Sequence, residues 1–244
     1  MKVVILAGGR GTRLEEDTRD LVPKPMVKIG SAPMVEHIVR LFCSQGHTEF
    51  IIAAGHLGNV LEDWSRAFQD AFGGVQVTVV DTGENTATGG RVARLEAILG
   101  NEAFFLTYGD GLSDVNLTAL VRFHQQRGAL LTLTAVRPPN RFGYLEIERG
   151  LVTRFAEKPR DTGSWVNGGF YIVTPGVFDF IRGDTCEFER DVLPAMAQLD
   201  QLAAFKHEGF WQCVDHPRER RALEDLYVSG KAPWLRWEVR PDES

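Results

Sequence analysis

Short apolar runs alternate with amphipathic segments along the first half of the chain. The strand-like apolar runs cover residues 2–6, 50–54, 75–80, 103–107 and 130–136. Between the first two runs, Met34, Ile38 and Leu41 recur at the spacing of one helical face, as do apolar residues within 59–68, 91–99 and 116–128. Apolar strands that are each followed by an amphipathic helix predict an α/β fold, with a mostly parallel sheet and helices on both faces.

The second half of the chain shows a different pattern. Residues 142–159 alternate apolar and polar side chains on either side of Arg149-Gly150, which predicts a β-hairpin. Residues 168–181 predict a strand followed by a helix, and residues 218–231 predict a late helix. We therefore expect one domain over residues 1–244, with the hairpin and the C-terminal helix as a small appendage to the sheet.

Composition and charge narrow the possible partners. The 244 residues are 43% hydrophobic and 25% charged, with a net charge of −6, so a nucleic-acid partner is not expected. No apolar stretch approaches the roughly 20 residues of a membrane span, and the N-terminal apolar run is too short for a signal peptide. Three scattered cysteines without a CxxC pair favour a reduced, cytoplasmic protein without a structural zinc site.

A glycine turn, Gly8-Gly9-Arg10-Gly11, follows the first strand-like run. A P-loop would continue with Lys-Ser or Lys-Thr, but this turn continues with Thr12-Arg13. A dinucleotide fingerprint would place a third glycine at Leu14 and a carboxylate at the end of the second strand, where Gly55-His56 stands instead. A phosphate-binding turn of another kind and a plain strand-to-helix connection both remain open.

Prolines on either side of Lys24 suggest that this lysine has a fixed position. In Pro23-Lys24-Pro25 each proline restricts its own φ, and Pro25 favours an extended Lys24. The segment should therefore hold one ammonium group close to the glycine turn.

Further polar motifs follow other strands, and in a parallel sheet these ends meet at one edge. Residues 81–91 ("DTGENTATGGR") follow the third run, and "YGDG" places Asp110 after the fourth, where a carboxylate suits a hard cation such as Mg²⁺. Each motif alone is also typical of a simple turn. Asp215 in "CVDHP" fits the cap of the helix near Pro217, and Asn167-Gly168 suits a polyol ligand.

The motifs together resemble the sugar-phosphate nucleotidylyltransferase superfamily, and within it the branch of glucose-1-phosphate cytidylyltransferases. The first two motifs, "LAGGRGTRL" and "VPKPM", are specific for the superfamily, while "TGGR" and "GFWQ" indicate the cytidylyl branch. The resemblance runs through nearly the whole chain, in the order "LAGGRGTRL", "VPKPM", "VDTG", "TGGR", "TYGDG", "RFGYLEI", "EKP", "NGGF", "GFWQ" and "GKAPW".

The resemblance implies a Rossmann-like sheet, a nucleotide-binding part over about residues 1–136 and an acceptor-binding part over about residues 137–244. By position, it implies nucleotide contacts at Leu6, Ala7, Gly8, Gly9, Gly11, Thr12, Arg13, Thr82, Thr86, Gly90, Arg91 and Gly109. It implies catalytic roles for Lys24, Arg13 and Asp110. It also implies a Mg²⁺ site at Asp110 and Asp215, so that Asp215 would be a metal ligand instead of a helix cap. Contacts with the acceptor are implied at Lys158, Asn167, Gly168 and Tyr144.

The implied reaction joins CTP and a sugar 1-phosphate, with glucose 1-phosphate as the expected acceptor, to give a CDP-sugar and pyrophosphate. A phosphate oxygen is already an anionic nucleophile, so positioning and charge neutralisation carry the catalysis. The segment before Val80 is shorter than is usual in the family, which leaves the acceptor sugar open. Another nucleotide or phosphorylated acceptor is the alternative within the class. A non-catalytic nucleotide-sensing subunit is the alternative outside it, and we expect a homo-oligomer.

Overall fold

The computed structural model of the chain describes residues 1–9, 21–138, 144–156 and 164–235. Within these ranges, most strands belong to one mixed sheet. In chain order the strands are β1 (Val3–Leu6), β2 (Lys28–Ile29), β3 (Ala32–Pro33), β4 (Glu49–Ala54), β5 (Gln76–Asp81), β6 (Phe104–Tyr108), β7 (Gly111–Ser113), β8 (Leu131–Val136), β9 (Tyr144–Glu148), β10 (Leu151–Ala156), β11 (Val166–Asn167), β12 (Tyr171–Val173), β13 (Leu202–His207) and β14 (Trp211–Cys213).

The central sheet has β1 near its middle. Strands β4 and β6 flank β1 in parallel, and β5 continues in parallel beyond β4. On the other side β12 runs antiparallel between β6 and β8, and β13 lies parallel to β8. Strands from the second half of the chain thus complete a sheet that the first half begins.

Helices cover both faces of this sheet, as the alternating pattern predicts. They are α1 (Met34–Cys43), α2 (Gly58–Phe72), α3 (Thr88–Ala93), α4 (Glu96–Leu99), α5 (Leu117–Arg127), α6 (Leu193–Gln198) and α7 (Pro217–Val228), with 3₁₀ turns at Lys24–Met26 and Pro175–Phe180 and a π turn at Phe188–Val192. Since successive strand side chains point to opposite faces, Val3 and Ile5 of β1 pack in one apolar cluster and Val4 and Leu6 in another. The predicted α/β architecture is confirmed.

Two local predictions needed correction. The helix predicted over residues 91–99 is broken between α3 and α4, where the Leu95 N–H bonds the Val92 carbonyl three residues back instead of continuing the helical ladder. The helix predicted at the end of residues 168–181 is only a 3₁₀ turn. The predicted hairpin is confirmed as β9 and β10, and both turn residues, Arg149 and Gly150, have positive φ.

In the part of the chain that the structure describes, none of the helices has the length and apolar character needed to cross a membrane. The three cysteines, Cys43, Cys186 and Cys213, carry free thiols.

Candidate active site

A cavity of about 410 Å³ opens at the carboxyl edge of β1 and β6, where α3 begins. This is the edge at which open parallel sheets bind their ligands. The cavity is lined by Leu6, Ala7, Gly8, Gly9, Lys24, Pro25, Thr86, Ala87, Thr88, Arg91, Tyr108, Gly109 and Asp110.

Most of the predicted nucleotide-site residues within the described ranges line this cavity. They are Leu6, Ala7, Gly8, Gly9, Lys24, Thr86, Arg91, Gly109 and Asp110. Thr82 and Gly90 are not among the lining residues: the Thr82 hydroxyl bonds the Ala54 carbonyl, and Gly90 packs against Asp184. Gly11, Thr12, Arg13 and Lys158, and the side chain of Tyr144, lie outside the described part of the chain.

Sequence reasoning missed Tyr108 and Thr88 in the lining. Tyr108 directly precedes the glycine and aspartate of "YGDG", and Thr88 begins α3. Their closeness to predicted motifs was the available signal, but their side-chain contacts lie far away along the chain, at Glu189.

Lys24 bridges the two carboxylates that the family resemblance implies as metal ligands. Its Nζ lies 2.6 Å from Asp110 Oδ2 and 2.9 Å from Asp215 Oδ1. Burial by itself lowers the pKa of the Lys24 ammonium, but the charges and hydrogen bonds of Asp110 and Asp215 outweigh burial, so its pKa is raised. The site therefore keeps a positive charge between two negative ones.

A close contact with the backbone of Gly109 fixes the segment Pro23-Lys24-Pro25, the proline arm that carries Lys24. The arm forms the 3₁₀ turn Lys24–Met26, and Pro25 packs over Gly109, where an added Cβ would lie only 2.6 Å from Pro25 Cγ. Glycine at position 109 thus allows the arm and the end of β6 to approach each other.

A short strand pair brings Asp110 and Asp215 together across more than a hundred residues. Strands β7 and β14 are antiparallel, with Gly111 opposite Cys213, and the Val214 N–H donates to the Asp110 carbonyl at 2.9 Å. Asp110 directly precedes β7, and Asp215 follows β14 by one residue.

The capping interpretation of Asp215 is wrong, because another residue caps α7. The N-cap is His216, which forms a capping box with Glu219. The Glu219 carboxylate also accepts from the Asp215 backbone N–H at 2.7 Å. The Asp215 side chain meanwhile contacts Lys24 in the cavity.

The pair of carboxylates fits a hard divalent cation. Both aspartates already converge on one positive charge, and carboxylate oxygens are the ligands that Mg²⁺ prefers. Among the described residues no group of three or more His, Cys, Asp or Glu side chains could hold a metal. Any cation here would therefore take further ligands from a bound phosphate or from water.

Arg91 joins three loops at the cavity edge. Its Nη1 donates to the Ala54 and Gly83 carbonyls at 3.0 and 2.7 Å and to the Thr82 hydroxyl at 2.8 Å. Its Nη2 donates to the Gly8 carbonyl at 3.0 Å and to the Glu84 carbonyl at 3.2 Å. Burial lowers the pKa of this guanidinium. The loops after β1, β4 and β5 are thus tied to one side chain.

Two glycines make room for the Arg91 guanidinium. A Cβ at Gly8 would lie 2.1 Å from Arg91 Nη1, and a Cβ at Gly55 would lie 2.7 Å from the same atom. These glycines are therefore needed for the packing of the Arg91 side chain.

The predicted acceptor residues Asn167 and Gly168 lie beside β8, because β11, which ends at Asn167, pairs with β8. The Gly168 N–H donates to the Thr134 carbonyl at 2.8 Å, and the Gly168 carbonyl accepts from Trp211 Nε1 at 2.8 Å. The Asn167 side chain accepts from the Gly169 N–H at 3.1 Å through Oδ1. Trp211, which the sequence showed only as part of "GFWQ", thus links this segment to β14.

Comparison with known proteins finds relatives over nearly the whole chain. Residues 2–217 match the family described as nucleotidyl transferase. The chain is 42% identical to a glucose-1-phosphate cytidylyltransferase of Salmonella typhi over 98% of this chain and 100% of the relative. It is 33% identical to mannose-1-phosphate guanyltransferase beta-A of Xenopus laevis over 90% of this chain and 62% of that protein.

Solved structures agree on the fold. A UDP-glucose pyrophosphorylase complexed with UDP-glucose superimposes with a TM-score of 0.72 at 19% identity, over 94% of this chain and 98% of the other.

Proposed function

The chain belongs to the nucleotidyl transferase family, and we propose that it transfers a cytidylyl group from CTP to glucose 1-phosphate, giving CDP-glucose and pyrophosphate. One observation carries the proposal: Lys24 joins Asp110 and Asp215 in the cavity formed by the glycine turn, in a chain 42% identical to a glucose-1-phosphate cytidylyltransferase.

In this reaction an oxygen of the sugar phosphate attacks the α-phosphorus of CTP, and the bond to pyrophosphate breaks on the opposite side. No residue needs to remove a proton, since the attacking oxygen is anionic. The protein positions both phosphates and stabilises the charge that develops. We propose that the Lys24 ammonium interacts with the transferred phosphoryl group, and its position in the cavity lining supports this role.

We propose that Asp110 and Asp215 hold Mg²⁺ when substrates are bound. Held by these two carboxylates, Mg²⁺ would supply positive charge to the phosphate oxygens of the nucleotide. The two carboxylates lie within 3 Å of the Lys24 ammonium, so they already accept a cation at this place.

The remaining roles follow the sequence predictions. We propose nucleotide contacts at Leu6, Ala7, Gly8, Gly9, Thr86, Arg91 and Gly109, all in the cavity lining. The proposed nucleotide contacts of Gly11, Thr12 and Arg13, the catalytic role of Arg13, and the acceptor contacts of Lys158 and Tyr144 concern side chains outside the described residues. Asn167 and Gly168 complete the acceptor part, over about residues 137–244, beside a nucleotide part over about residues 1–136.

A homo-oligomer in the cytoplasm remains part of the proposal. Exposed apolar side chains on β10, Leu151, Val152 and Phe155, support association with another subunit. Light scattering coupled to gel filtration tests this, and a monomer at micromolar concentration would contradict it.

The function is tested by pyrophosphate release from CTP, UTP, dTTP and GTP with several sugar 1-phosphates. We expect the highest kcat/KM with CTP and glucose 1-phosphate, and a different preferred pair would replace the proposed substrates. Lys24→Ala should lower turnover by on the order of 10²-fold or more, because its charge acts where charge develops. Release of pyrophosphate at the wild-type rate would remove the role of Lys24. Nucleotide binding without any turnover would favour a nucleotide-sensing subunit.

A further inference from the structure

A chain of side-chain hydrogen bonds runs from the nucleotide cavity to Asn167. The Glu189 carboxylate accepts from the Tyr108 hydroxyl at Oε1 and from the Thr88 hydroxyl at Oε2, the latter at 2.7 Å. The Tyr108 hydroxyl lies 2.8 Å from the Tyr171 hydroxyl, which in turn accepts from Asn167 Nδ2. Thr88 and Tyr108 line the cavity, and Asn167 is exposed.

The Glu189 carboxylate fixes which group donates and which accepts in each hydrogen bond between Tyr108 and Asn167. A carboxylate only accepts, so the Tyr108 hydrogen is committed to Glu189. The Tyr108 oxygen must then accept from Tyr171, and the Tyr171 oxygen must accept from the Asn167 amide. The Asn167 orientation is consistent with this order, because its Oδ1 accepts from the Gly169 N–H.

This order decides what Asn167 offers to a ligand. The amide nitrogen has two hydrogens, and one of them is used by Tyr171. The second N–H remains as a donor for an oxygen of a bound sugar or phosphate. A reversed chain would turn the amide around, present its carbonyl instead and lose the Gly169 bond.

We infer that Glu189 is a positioning residue, which acts through Tyr108 and Tyr171 to keep the Asn167 N–H directed toward the oxygens of the sugar 1-phosphate. The inference rests on the proposed function. Glu189 itself lies in the π turn Phe188–Val192, about twenty residues after Asn167, and is held there from the other side by Thr88.

The test is Glu189→Gln, in which the amide has a donor in place of one acceptor oxygen. One of the two hydroxyls that donate to Glu189, that of Tyr108 or that of Thr88, then loses its hydrogen-bond acceptor. When Tyr108 loses it, the chain of hydrogen bonds can reverse. Loss of one hydrogen bond to the acceptor corresponds to a KM for glucose 1-phosphate raised about 10-fold, and we expect the KM for CTP to stay within about twofold. Calorimetric titration of glucose 1-phosphate should show the same loss of affinity.

The matched control is Glu187→Gln, the same chemical change two residues away. The Glu187 side chain is exposed and contacts Arg190, outside the hydrogen-bond chain, so both KM values should remain those of the wild type.

A double-mutant cycle separates positioning from general loss of structure. In an Asn167→Ala background the effect of Glu189→Gln on the acceptor KM should disappear, whereas a structural defect would add to it. If Glu189→Gln does not fold, Tyr171→Phe breaks the same chain and should give the same KM change. An acceptor KM that is unchanged in either folded variant, or additivity with Asn167→Ala, overturns the inference.

Failure of the two proposals can be told apart. A wild-type enzyme that makes no CDP-glucose removes the proposed function, and the inference with it. An active wild type whose Glu189→Gln variant keeps its acceptor KM removes the inference alone.

Discussion

Replacing Lys24 by methionine should strengthen the binding of a divalent cation in the absence of nucleotide. In the free protein the Lys24 ammonium occupies the place between Asp110 and Asp215, at 2.6 and 2.9 Å, so an incoming cation must displace it. Methionine keeps most of the length of the side chain and removes its charge. The two carboxylates would then no longer be paired with an ammonium group at the place proposed for the metal.

The expected gain follows from the two ion pairs. The side chains of Lys24, Asp110 and Asp215 are 15%, 30% and 32% exposed, so each pair lies toward the stronger end of solvent-accessible ion pairs. At about 1 kcal/mol each, the two pairs together correspond to roughly 30-fold tighter metal binding.

The assay is electron paramagnetic resonance of free Mn²⁺, titrated with protein at neutral pH without nucleotide. Lys2→Met is the control, because it makes the same change in net charge at the opposite end of β1, where Lys2 contacts Glu49 at 3.8 Å. Adding Asp215→Asn to Lys24→Met should remove the gain. Equal Mn²⁺ affinity in the Lys24→Met and Lys2→Met variants would refute the idea that Lys24 competes with the metal.

Three further predictions address the edge of the cavity and its chemistry. Gly55→Ala, whose Cβ would lie 2.7 Å from Arg91 Nη1, should lower stability by about 1–3 kcal/mol and weaken CTP binding. A melting temperature no lower than that of Gly176→Ala, where only a leucine side-chain end is close, would contradict it. Asp110→Asn and Asp215→Asn should each lower activity on the order of 10²-fold, and the double variant little further. EDTA should silence the wild type until Mg²⁺ is added, and full activity of Asp215→Asn would exclude its metal role. The kcat/KM for CTP should exceed that for UTP by about tenfold or more, because a buried uracil in place of cytosine leaves polar groups without hydrogen-bond partners. Equal kcat/KM values for the two nucleotides would leave only the family assignment.

Three strands of the first half, β1, β4 and β6, could be predicted because nearly all of their residues are buried. β1, β4 and β6 are continuous apolar runs, each followed by turn residues, so their ends and their common edge follow from the sequence. The short strands β7, β11 and β14 have two or three residues each, too few for any periodicity to be seen. They could only be found in three dimensions.

The candidate site was predictable to the extent that its residues follow strands. Gly8, Gly109 and Asp110 stand directly after buried runs, and these residues line the cavity. Asp215 needed the family resemblance, because its contact with Lys24 spans 191 positions and depends on β7 pairing with β14. Glu189 had no local signal at all, since an acidic residue in a polar segment is most often a solvated side chain.

The glycine turn that follows β1 also has a cause in protein packing, which does not depend on a ligand. Gly8 and Gly55 follow the neighbouring strands β1 and β4, and an added Cβ on either would collide with Arg91. Arginine carries a planar group with five donors spread over three nitrogens, and two of these nitrogens let one side chain reach the carbonyls of Gly8, Ala54 and Gly83 together. Lysine has three donors on one atom and could not span these loops. The loops after β1, β4 and β5 are therefore held together by Arg91, and the glycines give that side chain the space to do so.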